Sequence, residues 1–85
     1  MNLSWTDESW EDYLHWQQYD RKTVKKINHL IKDIKREPYG GIGKPEPLKY
    51  ELAGCWSRRI TDEHRLVYEI HDAHIVIISC RYHYS

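Results

Sequence analysis

The 85-residue chain has no phenylalanine, one methionine, two cysteines and no net charge, and each shortage excludes something. No apolar run approaches the roughly eighteen residues that a membrane-crossing helix needs. Cys55 and Cys80 stand apart, with no Cys-x-x-Cys pair, and Met1-Asn2-Leu3-Ser4 leads straight into patterned sequence without a secretory leader. The expectation is a cytoplasmic protein with two free thiols. The cluster Gly40-Gly41-Ile42-Gly43 runs into proline rather than a helix, which excludes a glycine-rich phosphate loop. Histidines fall at 15, 29, 64, 71, 74 and 83, and only His71-x-x-His74 is closely spaced. No cysteine or carboxylate joins that pair in a zinc-like pattern, so neither a metal nor another cofactor is expected.

What is present suits one domain, residues 1–85, with a single small core. Four Trp and seven Tyr supply much of its mass, rings whose polar edges suit core positions near the surface. Thirteen basic and 13 acidic residues balance, which argues against tight unaided binding to nucleic acid. The charges are nevertheless segregated. Asp7, Glu8, Glu11, Asp12 and Asp20 precede the first cation, and Arg21, Lys22, Lys25, Lys26, Lys32, Lys35 and Arg36 then face Asp33 alone. That basic stretch is either a solvated helix face or a surface that meets phosphate.

Leu3-Ser4-Trp5 reads as a short strand, and Thr6 followed by Asp7 and Glu8 as a helix start. The first helix should run from Asp7 to Tyr19 with Trp10, Tyr13, Leu14 and Gln17 on one face, leaving Trp16 off that stripe and half exposed. Asp20 can cap a second helix, in which Val24, Ile27, Leu30, Ile31 and Ile34 repeat at three and four. Pro38 stops it by Glu37. Residues 38–47 hold three Gly and three Pro, a loop through which neither helix nor strand propagates. Within it, Glu46 is held between Pro45 and Pro47, which is either a stiff connector or a directed carboxylate.

Strands are expected at Leu48–Leu52, Cys55–Ile60 and His64–Ile70, with turns at Ala53-Gly54, Thr61-Asp62-Glu63 and His71-Asp72-Ala73. The β-branched run from His74 to Ser79 reads as a strand buried on both faces in the middle of the sheet. If extended geometry continues past Ser79, Arg81 and His83 share one face; otherwise the tail leaves the strand there. The chain is therefore α+β, with both helices on one face of a mainly antiparallel sheet. The opposite face is left for Arg59, Arg65, His83 and Glu46. Such a set can cleave RNA without a metal. A carboxylate takes the 2′-hydroxyl proton, an imidazole with an ordinary pKa of about 6.5 supplies one to the leaving oxygen, and guanidinium groups meet the charge on the phosphorane. Tyrosine rings can stack on the flanking bases.

Three separated stretches carry a resemblance: Gly-Lys-Pro-Glu-Pro-Leu-Lys from Gly43, Trp-Ser-Arg-Arg-Ile-Thr-Asp-Glu-His-Arg-Leu-Val-Tyr from Trp56, and Cys-Arg-Tyr-His-Tyr from Cys80. With Glu-Ser-Trp-Glu-Asp-Tyr in the first helix and Val-Lys-Lys-Ile-Asn in the second, the chain closely resembles the YoeB toxins of the RelE/ParE superfamily. The resemblance implies a twisted sheet like that of small microbial ribonucleases. It also implies a bacterial toxin that cuts mRNA in the A site of the 70S ribosome, in contact with ribosomal RNA, and is restrained by a YefM-type antitoxin. By matching position, Glu46 would be the general base, His83 the general acid and Arg65 the stabiliser of the phosphorane. Lys49 and Arg59 would help hold the phosphate, and Tyr84 would contact the substrate near the cut. Ser85 extends the chain one residue beyond the usual Tyr ending.

Two alternatives belong to other classes: a non-catalytic RNA- or ribosome-binding module, and a ParE-like toxin acting on gyrase. Glu46, Arg65 and His83 together argue against the second, since poisoning a topoisomerase needs no acid and base. Codon preference and oligomeric state are open, a homodimer included.

Overall fold

The computed structural model describes residues 1–83. Its elements are β1 (Asn2–Trp5), α1 (Asp7–Tyr19), α2 (Arg21–Arg36), β2 (Glu46–Pro47), a 3-10 turn at Tyr50–Leu52, β3 (Cys55–Arg59), β4 (Arg65–His71) and β5 (His74–Ser79). The strands form one sheet in the order β1-β5-β4-β3-β2. β1 lies parallel to β5, and every other pair is antiparallel. The α+β class and the placement of both helices on one face hold as expected. Ile27, Leu30, Ile31 and Ile34 of α2 and Trp16 of α1 pack with Leu66, Tyr68, Ile75 and Ile77.

Local chemistry sets both helix starts. Thr6 Oγ1 accepts the Ser9 N–H at 3.1 Å and opens α1. Asp20 alone joins the helices: its own N–H closes α1 on Trp16 O at 2.8 Å, and its carboxylate accepts the N–H groups of Lys22 and Thr23. Burial of the α2 stripe holds that helix down, at about 1.5–3 kcal/mol for each apolar side chain removed from water.

The face of α1 differs from the expectation. Trp10 is 43% exposed and Leu14 37%, whereas Ser9 is wholly buried and Trp16 is 7% exposed. Polar anchors decide the docking. Ser9 is small enough to bring α1 against β5, where its Oγ donates to Ile77 O at 2.8 Å, and two helical turns later the Trp16 indole N–H donates to Cys80 O at 2.8 Å. Trp10 stays at the margin, 5.8 Å from the ring of Trp5 and 5.8 Å from that of Tyr13.

Two strand expectations also shift. Leu48–Leu52 is no strand, because Tyr50 adopts a left-handed φ of 57° and starts the 3-10 turn. The pairing falls two residues earlier, inside the expected loop, where Glu46 lies opposite Ser57 and Pro47 opposite Trp56. Proline is tolerated there because β2 is an edge strand. β5 is interior, as expected, but its two faces differ: Ile75 and Ile77 are fully buried, Val76 and Ile78 half-buried. The strand ends at Ser79, and a φ of 62° at Tyr82 breaks the alternation that would have put Arg81 and His83 on one strand face.

Candidate active site

Arg58 organises the approach to the site, and the sequence reading did not single it out. Its side chain is completely buried, and all five guanidinium N–H groups are used. Nε donates to Tyr68 OH at 3.2 Å, Nη1 to Asp33 Oδ2 at 2.5 Å and Ile42 O at 3.0 Å, and Nη2 to Glu37 O and Gly40 O, each at 2.6 Å. The segment after α2 is thereby wrapped around one side chain. Gly41 and Gly43 allow the approach, with φ of 97° and 80°; a Cβ at Gly41 would collide with the Asp33 carboxylate, and one at Gly43 with Leu30. Asp33 also accepts from Arg36 and from the Ile42 N–H, and these bonds, Arg36 first, hold its carboxyl well below the usual range. Gly43 O then takes the Arg59 N–H at 2.7 Å, which delivers Pro45-Glu46-Pro47 to the sheet edge.

Register assigns the faces. Trp56, Arg58 and Ile60 point toward the helices, so Cys55, Ser57 and Arg59 face the other way. Glu46 is directly opposite Ser57, Arg65 opposite Arg59 and Val67 opposite Ser57. Glu46, Arg59 and Arg65 therefore share the helix-free face, as expected. Leu48, Cys55 and Val67, with Leu52 and Ile78 against them, form a small second core there.

Arg65 and His83 are brought together at the turn between β3 and β4. Arg65 Nη1 donates to Thr61 O at 2.7 Å, His64 O at 3.1 Å and Asp62 O at 3.2 Å. His83 Nε2 lies 2.8 Å from the same Asp62 O. A carbonyl only accepts, so this nitrogen carries a hydrogen and donates. Arg59 Nη1 stands 3.8 Å from the Asp62 carboxylate. His83 also borders a hollow of about 280 Å³ with Glu8, Glu51, Leu52, Val67, Ile78 and Arg81. Glu46 and Lys49 line a neighbouring hollow of about 530 Å³ along residues 46–52, and the two hollows share Glu51 and Leu52. Tyr84 and Ser85 lie outside the described residues.

His64 is a second residue that the sequence reading passed over. Its Nδ1 accepts the Tyr82 backbone N–H at 2.7 Å, and its ring meets that of Trp16 edge-on, 4.8 Å between centroids. A signal for Arg58 was available, since an arginine in the core-facing phase of a strand demands a buried acceptor shell. None existed for His64, whose partner is a backbone group 18 residues away. Burial raises both thiols, Cys80 up to about 12, which suits structural cysteines rather than nucleophiles. Among the described residues no group of histidine, cysteine and carboxylate is arranged to hold a metal ion, and no helix is long and apolar enough to cross a membrane.

The comparisons with known proteins agree with one another. Residues 5–84 match the family model described as the YoeB-like toxin of bacterial type II toxin-antitoxin systems. Toxin YoeB of Escherichia coli (strain K12) is 62% identical over 84 residues, covering 99% of this chain and 100% of that protein. The solved YoeB/ParE toxin from Agrobacterium tumefaciens superposes with a TM-score of 0.96 at 53% identity, covering 99% of this chain and 100% of that one. The toxin chain of the YoeB-YefM complex from Staphylococcus aureus does so with a TM-score of 0.92, also at 53% identity, covering 99% and 98%. The fold, the arrangement of the helix-free face and a match over nearly the whole length lead to one conclusion: the chain belongs to the YoeB-like toxins of bacterial type II toxin-antitoxin systems.

Proposed function

We propose that this toxin is a ribosome-dependent endoribonuclease that cuts mRNA in the A site by metal-independent acid and base catalysis, and so inhibits translation. The observation that carries the reading is the convergence of Arg65 and His83 on one carbonyl, Asp62 O, beside the sheet face that bears Glu46 and Arg59. Glu46 takes the 2′-hydroxyl proton, and the freed oxygen attacks the adjacent phosphorus. Arg65 meets the charge that develops on the phosphorane; its plane is already fixed by the turn carbonyls, so little reorganisation is needed. His83 then passes its Nε2 proton to the departing 5′-oxygen. Lys49 and Arg59 hold the phosphate, and Tyr84 contacts the nucleotide near the cut.

The balanced charge fits a dependence on the ribosome, which would position the substrate and spare the toxin a tight RNA grip of its own. A YefM-type antitoxin is the proposed restraint, as a disordered segment that folds over the sheet and helices. The test is the chemistry of the cut ends on ribosome-bound mRNA. Transesterification leaves a 2′,3′-cyclic phosphate and a 5′-hydroxyl, and both should vanish with Glu46→Gln and His83→Ala. A 5′-phosphate on the downstream fragment would refute attack by the 2′-oxygen.

A further inference from the structure

We propose that His64 is the positioning residue of the C-terminal imidazole: its Nδ1, as an acceptor, holds the Tyr82 N–H and thereby sets where His83 points. The proposal rests on the reading of His83 as general acid. The chain turns at Tyr82 through a left-handed φ of 62°, a conformation a tyrosine does not hold without help. Help comes on both sides of the residue. His64 Nδ1 takes its N–H at 2.7 Å, and the Arg65 N–H donates to its carbonyl at 3.1 Å. The next side chain is the His83 imidazole, delivered to Asp62 O at 2.8 Å. Without the His64 bond the turn would lose one of these two anchors, and the imidazole its fixed direction.

The His64 ring is itself held. Trp16 packs edge-on against it at 79°, and the same Trp16 donates to Cys80 O, two residues before the turn. The Tyr82 ring stands 5.4 Å from it. A backbone N–H only donates, so Nδ1 must be bare and the ring neutral for the bond to exist. The surroundings favour that form. Burial is the first cause lowering the pKa of His64 below its ordinary 6.5; Arg81 and His83 on the tail and His15 on α1 add to it, and Glu63 on the same turn opposes it. The Arg65 guanidinium, on the His64 carbonyl, is a further nearby cation. Protonation would set an N–H against the Tyr82 N–H and open the latch. The bond is therefore present above pH 6.5 and is lost as pH falls through the lowered pKa of His64.

The experiment compares wild type, His64→Asn and His64→Ala. Asparagine places an acceptor oxygen near the position of Nδ1 and takes up no proton in this range. Hydrogen exchange at the Tyr82 amide reads the latch directly, and single-turnover cleavage of ribosome-bound mRNA reads its consequence. His64→Ala should speed Tyr82 exchange and slow cleavage by about ten- to a hundredfold, the scale of a displaced catalytic group. His64→Asn should keep both near wild type and remove the acid-induced loss of amide protection seen in the wild type. Unchanged exchange in His64→Ala, or equal losses in the two variants, would overturn the proposal. If His64→Ala does not fold, the wild-type and His64→Asn acid titrations decide alone. His83→Ala serves as the control: undiminished cleavage there would remove the general-acid reading, while the exchange data still judge the latch.

Discussion

At the scale of single residues, the charge that matters most to folding is the one water cannot reach. Arg58 sits where the alternation of Trp56 and Ile60 calls for an apolar side chain, and its fully used guanidinium explains why that is tolerated. Replacing it by alanine takes a donor from Asp33, which keeps only Arg36 and the Ile42 N–H, and from three carbonyls, and should cost about 3–5 kcal/mol. For a domain whose stability is on the order of 0.1 kcal/mol per residue, that is much of the total, and urea titration should show it. Asp33 carries the pH dependence of the cluster. Its carboxyl is held below the ordinary value of 3.8, so its contribution is complete above that pH and is lost as pH falls toward the lowered value. Asp33→Asn should therefore lose less melting temperature than wild type between about pH 5 and pH 2. Equal acid sensitivity would mean that other carboxylates dominate. The residues proposed as acid and base were singled out by residue type and resemblance. Arg58 was passed over although its phase on the strand marked it, and His64 because a ring bound to a backbone N–H leaves no trace in sequence.

At the scale of elements, the limits of both helices were readable and the face of one was not. Thr6, Asp20 and Pro38 are local punctuation, and α2 carries one unambiguous apolar stripe from Val24 to Ile34. In α1 apolar residues lie on several faces, and the choice between them was made by Ser9 and Trp16, whose polar atoms reach carbonyls of Ile77 and Cys80. Trp16→Ala should cost about 3–5 kcal/mol, the usual loss for a large buried aromatic, and Trp10→Ala clearly less. Comparable losses in thermal or urea unfolding would contradict the observed docking. The same logic explains the misplaced strand. Leu48–Leu52 alternates acceptably, but Tyr50 turns left-handed and the segment folds back so that Leu48 and Leu52 cover Val67. Long-range packing overrode a weak local pattern.

At the scale of the whole molecule, the fold divides its labour between the two faces of one sheet. The helices and most of the core occupy one side; the other keeps a small apolar patch, with Glu46 and Lys49 on one hollow and His83 on the next. The class was readable because helices precede a meander of strands, whereas the parallel β1–β5 pairing joins the two ends of the chain and no local signal announces it. The solvated side of α2 belongs to this scale as well. Lys25 and Lys26 are exposed there, and reversing both to Glu should lower cutting on ribosomes while leaving the melting temperature nearly unchanged. Undiminished activity would remove α2 from the ribosome contact.

The most direct measurement is primer extension on a defined message incubated with purified protein, with and without 70S ribosomes, comparing wild type with His83→Ala. The account predicts cuts that require both the ribosome and His83. Cuts by wild type on free message would contradict the A-site mechanism, and cuts by His83→Ala at the wild-type rate would contradict the role given to the C-terminal imidazole.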